Sequence, residues 1–196
     1  VADRRPLLVP VLACAISALL SSGLTAVVLR HREPGTVAQR PPLTVTPEQR
    51  DLATLLVTPG PPYVAVNAGE VVPPSQGLTT LGLTRGWRRQ FRTPSADRID
   101  VIVLEFASAS GARGYAQGIG RAAQLLVKPR PFTVSGVPGG SALADTVRDR
   151  DGKYAQVVVM HRGVRAALLV FAVSSATPGP EVAALAQRQY AALPAP

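Results

Sequence analysis

The amino-acid sequence predicts an α+β domain on a mostly antiparallel sheet with helices packed on it, preceded by one N-terminal transmembrane helix. Three observations carry this. An uncharged apolar stretch, Leu7–Leu29, lies near the start of the chain between groups of arginines. Segments with a strand period are joined by hairpin-length connections, as antiparallel neighbours require. Stretches with a 3.6-residue apolar period fall between and after them, where they would cover the sheet.

As a helix, Leu7–Leu29 would rise about 34 Å, more than the ~30 Å hydrocarbon core of a bilayer. Arg4 and Arg5 flank one end; Arg30, His31 and Arg32 flank the other. Ser17, Ser21, Ser22 and Thr25 can bond back to their own helix, which makes them tolerable in lipid. The run is longer than the apolar region of a cleaved signal peptide, and no Ala-x-Ala site follows it. Val11-Leu12-Ala13-Cys14 has the order of a lipoprotein box, but the longer apolar stretch follows Cys14 instead of preceding it. Cys14 therefore reads as a small apolar residue of the spanning helix. Residues 1–6 form a short tail, 7–29 the anchor, 30–46 a Pro-rich linker and 47–196 the α+β domain. Arginines on both sides leave the positive-inside count undecided. The short tail favours a single-pass protein of the cell membrane with its C-terminal domain extracytoplasmic.

Pro47–Val57 reads as a short helix, with Thr46 as cap and Leu52, Leu55 and Leu56 on one face. Tyr63–Thr84 stays ambiguous, because Gly69, Pro73, Pro74 and Gly77 interrupt it. Trp87–Arg92 alternates, placing Trp87 and Phe91 on one face and Arg88, Gln90 and Arg92 on the other. Ile99–Phe106 is a buried strand reached through Thr93–Asp97. Ser108 caps a helix whose apolar positions run from Ala112 to Leu126. Gly111, Gly114, Gly118 and Gly120 weaken it by up to ~1 kcal/mol each where interior. Pro129–Gly140 is a long turn region and Ala142–Val147 a strand. Asp149-Arg150-Asp151-Gly152 is a turn. Tyr154–His161 and Val164–Val173 are strands joined by a two-residue hairpin at Arg162-Gly163. The second is apolar nearly throughout, as a central strand covered on both faces should be. Pro178–Leu193 is a closing helix that buries Val182, Leu185, Ala186 and Leu193.

The 196-residue chain is 46% hydrophobic, enough for one packed domain beyond the anchor. Cys14 is its single cysteine, so no disulfide forms within the chain. The net charge of +9 is carried almost wholly by arginine, with Lys128 and Lys153 the lysines. Abundant Arg, Ala, Val, Pro and Gly match GC-rich coding, which makes the charge weak evidence for nucleic acid. Anionic lipid or an acidic wall polymer suits it equally.

Catalytic inventory is thin. His31 lies beside the expected membrane segment, and His161 stands at a strand end with no second histidine near it in the sequence to share a metal. Ser108, Ser135, Ser141, Ser174 and Ser175 lie outside any Gly-x-Ser-x-Gly elbow. Asp149, Asp151 and Gly152 lack the distal ligands of a calcium loop. Gly118-Ile119-Gly120 lies inside a helix and is no dinucleotide loop. Glu105, with Asp100, Asp145 or Asp149, is the candidate for carboxylate chemistry. Arg85-Gly86-Trp87-Arg88-Arg89-Gln90-Phe91-Arg92 is the most distinctive stretch. Its period of two favours an amphipathic strand over a nucleic-acid or membrane motif. Arg85, Trp87, Arg88, Arg92 and Glu105 are the candidate surface or ligand contacts. No catalytic, cofactor or metal residue is assigned.

Four short motifs carry a resemblance. They are Leu55-Leu56 followed by Pro61-Pro62-Tyr63; Phe106-Ala107-Ser108-Ala109-Ser110-Gly111-Ala112; Val137-Pro138-Gly139; and Arg162-Gly163. With them the chain resembles actinobacterial membrane-anchored envelope proteins whose soluble part is a small lipoprotein-like or sensor-like α+β domain. The resemblance implies an extracytoplasmic fold and brings no catalytic residues. The expected function is a non-catalytic module binding a partner protein, lipid or cell-wall component. The membrane is reached through Leu7–Leu29, and nucleic acid is the disfavoured partner. The alternatives are a carboxylate-based extracytoplasmic enzyme, or a scaffold subunit that associates through its anchor helix.

Overall fold

The computed structural model describes residues 47–124 and 129–195. The tail, the anchor Leu7–Leu29, the linker and Leu126 lie outside the described residues. The elements are α1 (Pro47–Ala53), β1 (Val64–Ala65), β2 (Glu70–Val71), α2 (Gln76–Thr80), β3 (Leu83–Arg92), β4 (Arg98–Phe106) and α3 (Ala109–Ala123). They continue with β5 (Pro129–Pro131), β6 (Ser141–Asp145), β7 (Tyr154–Arg162), β8 (Arg165–Val173) and α4 (Pro180–Ala192). The strands form one sheet in the order β1-β3-β4-β8-β7-β6-β5, with β2 also beside β3. All pairings are antiparallel.

Both faces of the sheet are covered, because alternate residues of the central strands are apolar in both directions. On one face Trp87, Phe91, Val101, Val103, Met160, Leu169 and Phe171 pack with Leu52 of α1 and Val182, Leu185 and Ala186 of α4. On the other, Leu104, Phe106, Val157, Val159 and Leu168 pack with Leu78 of α2 and Ala112, Tyr115 and Ile119 of α3. The sheet also has two ends. At one, β3 turns into β4 and β6 into β7; at the other, β4 passes into α3 and β7 turns into β8.

Three boundaries differ from the sequence reading. The β7–β8 loop is Gly163–Val164, since Arg162 and Arg165 pair across it. Gly163 has φ 56°, and a primed two-residue turn needs positive φ at its first loop position, so glycine must stand there. Helix α1 stops at Ala53, short of Val57. Buried Gln189 captures the next backbone groups, donating to Leu55 O at 2.8 Å and accepting from Val57 N–H at 3.0 Å. The expected turn region after Pro129 begins with β5. Its two prolines cannot donate outward and so blunt that edge of the sheet.

Ser108 caps α3, accepting from Gly111 N–H at 3.2 Å. The helix glycines mark close approach. A Cβ on Gly111 would collide with Leu81 O, and one on Gly120 would stand 2.9 Å from Ser141 Oγ. Gly118 faces open space. Tight docking on α2 and β6 thus offsets part of the helix's weak intrinsic propensity.

Candidate functional site

The period of two separates the residues that sequence singled out. Arg85 and Glu105 pair in register on the α1/α4 face, where Arg165 of β8 joins them. Glu105 accepts from Arg85 Nε at 3.0 Å and Arg85 Nη2 at 3.3 Å, and lies 2.7 Å from Arg165 Nη2. It therefore ends as an ion-paired strand residue. Arg88 points to the α3 face, with a two-pronged bond to Asp100 at 3.2 and 3.0 Å and a third to Glu70 at 3.1 Å. Arg92 is exposed at the end of β3. Trp87 corrects the idea of a surface contact, being only 6% exposed. Its indole Nε1 occupies the space that a side chain on Gly69 would need.

The carboxylates weighed for catalysis do not converge. Glu105 and Asp100 share β4 but, five positions apart, stand on opposite faces. Asp145 accepts from Val147 N–H. Asp149 accepts from the N–H groups of Asp151 and Lys153, closing its own turn. The His161 pKa is lowered by burial and then by Arg113. Burial, then Asp97 and Glu181, raises that of Tyr63. Among the described residues no group of three or more His, Cys, Asp and Glu could hold a metal ion.

Ser174 and Lys153 are neighbours, as a nucleophile and its base would be, but the geometry is that of a clamp. Lys153 Nζ donates to Asp97 Oδ1 at 2.5 Å, Ser174 Oγ at 2.8 Å and Ser95 O at 2.9 Å. The amine is engaged in an ion pair and two further hydrogen bonds, which fix its position among three segments. Ser174 in turn donates to the same Asp97 oxygen at 2.8 Å. The cluster ties the β3–β4 turn to the start of β7 and the end of β8.

The sequence did not reveal a cavity of about 390 Å³ on the α1/α4 face. Arg130, Pro131, Phe132 and Thr133 of the β5 edge form one wall. Ala176, Thr177, Pro178, Gly179 and Pro180, linking β8 to α4, form another, with Ala144 and Ala183 completing the lining. Its size falls within the range of small-ligand sites, and its mostly apolar lining with a few polar groups fits them too. Arg130 is its one charged lining residue. The N-terminus of α4 is occupied by the chain itself. Gly179 supplies no side-chain cap, and the Glu181 carboxylate folds back into the space where a Gly179 Cβ would stand.

Gln156 adjoins this cavity. It pairs across strands with Ala144 of the lining and Phe171 of the core and is 1% exposed. Its Nε2 donates to Ser175 O at 2.9 Å, while its Oε1 has no partner among the described residues. Such a buried acceptor costs free energy until a donor reaches it. One signal was present in the sequence: Gln156 is the polar residue at the core-facing parity of Val158 and Met160.

No family model and no curated protein matches the chain. Among solved structures, the extracellular domain of PknH from Mycobacterium tuberculosis is similar. The TM-score is 0.56 at 13% identity, covering 77% of this chain and 96% of that one. At that identity the likeness is one of fold, and the chain shares the antiparallel, helix-covered α+β fold of that extracellular domain.

Proposed function

We propose that the chain is a non-catalytic, membrane-anchored module whose extracytoplasmic, sensor-like domain binds an envelope component, whether partner protein, lipid or wall constituent. The observation that carries this is the cavity between the β5 edge and the β8–α4 link; its lining residue Ala144 pairs across strands with Gln156, whose buried Oε1 has no partner among the described residues. Pro131, Pro178 and Pro180 stiffen the cavity walls, which lowers the ordering cost of binding. The fold of a kinase's extracellular domain supports the sensor-like reading, and the stretch Leu7–Leu29 supports the anchor.

Cavity filling tests it. Ala183→Trp in the full-length, detergent-solubilised chain closes the space from the α4 side. Fractionated envelope proteins, lipids and wall fragments are then screened by thermal shift against both forms of the chain. At least one fraction raises the wild-type Tm and leaves Ala183→Trp unmoved, as ligand linkage requires. A wild-type Tm indifferent to every fraction overturns the reading.

A further inference from the structure

Among the described residues the large apolar side chains that stand in solvent are Val64, Val66 and Val147, at 65%, 58% and 41% exposure. All three belong to the end of the sheet where β3 turns into β4. Val64 pairs with Arg92, the last residue of β3. The N–H of Val66 bonds to Gln90 O. Val147 follows the last residue of β6 by two positions.

Arginines stand among these valines. Arg92 lies directly opposite Arg98 across the β3–β4 pair, a like-charge juxtaposition that repels. Arg98 reaches Asp151 at 3.1 Å. Arg92 and Arg150 are exposed and have no ion pair among the described residues. The acids of this end are Asp97, paired with Lys153, Asp151, paired with Arg98, and Asp145 and Asp149, whose carboxylates accept N–H groups of their own turns; none of them pairs with Arg92 or Arg150.

The span selects the partner. From β1 to β6 the rim crosses five inter-strand steps, or about 24 Å at ~4.8 Å each. Apolar points and unneutralised guanidiniums spread over that width exceed one small molecule. They match a planar anionic surface, into which valines dip while arginines meet phosphates. The linker expected over residues 30–46 reaches from roughly 20 Å as a coil to about 50 Å extended, which keeps the rim within range of the bilayer. We propose that this rim docks the domain on the anionic headgroups of the membrane that holds the anchor. The docking rests on the anchored reading above. It also sets the cavity beside the bilayer, because the link that lines it leaves β8 at this same end.

The test uses the full-length chain with Cys14→Ser and Val64→Cys, carrying a polarity-sensitive fluorophore at position 64. It is reconstituted with vesicles of phosphatidylcholine alone or with phosphatidylglycerol added. Docking gives blue-shifted, brighter emission in the anionic vesicles, reversed by high salt. A label at Ala107→Cys, at the opposite end of the sheet, is unaffected. Replacing Arg92 and Arg150 together by alanine weakens the docked state roughly thirtyfold, at ~1 kcal/mol per arginine. Emission identical in both vesicle types, from chain that floats with both, overturns the rim while leaving the anchor intact. Flotation with anionic vesicles only would sink the anchor and support the rim; flotation with neither sinks both. A signal that follows protein-to-lipid ratio instead of phosphatidylglycerol marks pairing of two copies and overturns the proposal.

Discussion

The two ends of the sheet treat the same residue type in opposite ways. Where β7 turns into β8, Arg85 and Arg165 converge on Glu105, with side-chain exposures of 22%, 24% and 16%. Arg162 there donates to Leu193 O at 3.0 Å and lies over the Tyr190 ring. Where β3 turns into β4, Arg92 faces Arg98, and Val64 and Val147 stand in water. Local register makes the difference. A carboxylate lies across one strand from the first pair, and none lies across from Arg92. An arginine's worth therefore depends on the residue opposite and on what covers it, not on membership of a basic run.

The largest expected effect lies at the paired end. Glu105→Ala leaves two partly buried guanidiniums without their acid and costs about 3 kcal/mol. Arg92→Ala stays within ~0.5 kcal/mol. Urea unfolding followed by the emission of Trp87, the one tryptophan, gives both values. Equal costs would erase the distinction between the ends.

The clamp under the exposed end comes next. Lys153→Met removes three charge-assisted bonds and leaves Asp97, 20% exposed in its side chain, with Ser174 alone. A loss of about 2 kcal/mol is expected. Faster amide exchange at Asp97, whose N–H bonds to Thr93 Oγ1, would show that the β3–β4 turn has come loose. Unchanged exchange together with lost stability would place the effect elsewhere.

Helix α3 allows a finer contrast. Gly111→Ala drives a methyl against Leu81 O and costs about 1.5 kcal/mol. Gly118→Ala meets nothing within 4 Å and gains up to ~1 kcal/mol of helix propensity. Opposite signs in the same unfolding assay sharpen the claim that Gly111 is there for contact; like signs would remove it.

These contrasts show what the sequence could disclose. Strand parity placed Trp87 and Phe91 on one face and Arg88 on the other, because a period of two is local; that the second face is also covered, leaving the Arg88 side chain 12% exposed, was not local and did not show. The central, doubly covered β8 was legible from its unbroken apolar run, and α4 from Val182, Leu185 and Ala186. The glycines of α3 read as weakness, since the contacts of Gly111 and Gly120 lie on segments distant in sequence. Tyr63–Thr84 stayed ambiguous because β1 and β2 are two residues each, too short to show any period. The cavity was invisible for a similar reason. Its walls come from β5, β6 and α4, and no stretch of sequence states that they meet. Arg85 and Glu105 were singled out, but Arg165, which completes their pairing, could be found only by aligning β4 with β8.

The smallest effect concerns His161, next to Arg162 at the crowded end. Burial and then Arg113 hold its pKa below the ordinary ~6.5. The unfolded chain therefore takes up a proton at a higher pH than the folded chain does. Above about pH 7.5 both states are neutral at this residue and it adds no pH dependence. As pH falls through ~6.5 the unfolded state binds the proton first, and stability declines until the folded imidazole titrates in turn. His161→Gln removes that decline, so its urea midpoint should rise relative to wild type between pH 7.5 and 5.5. The gain should be modest, because the ring is only partly covered. Arg113→Ala should recover a smaller part of it, since Arg113 is the lesser cause, and each variant is read against wild type at both pH values. Parallel profiles for wild type and His161→Gln would mean that this end is wetter than its packing indicates, and the contrast between the ends would then rest on Glu105 alone.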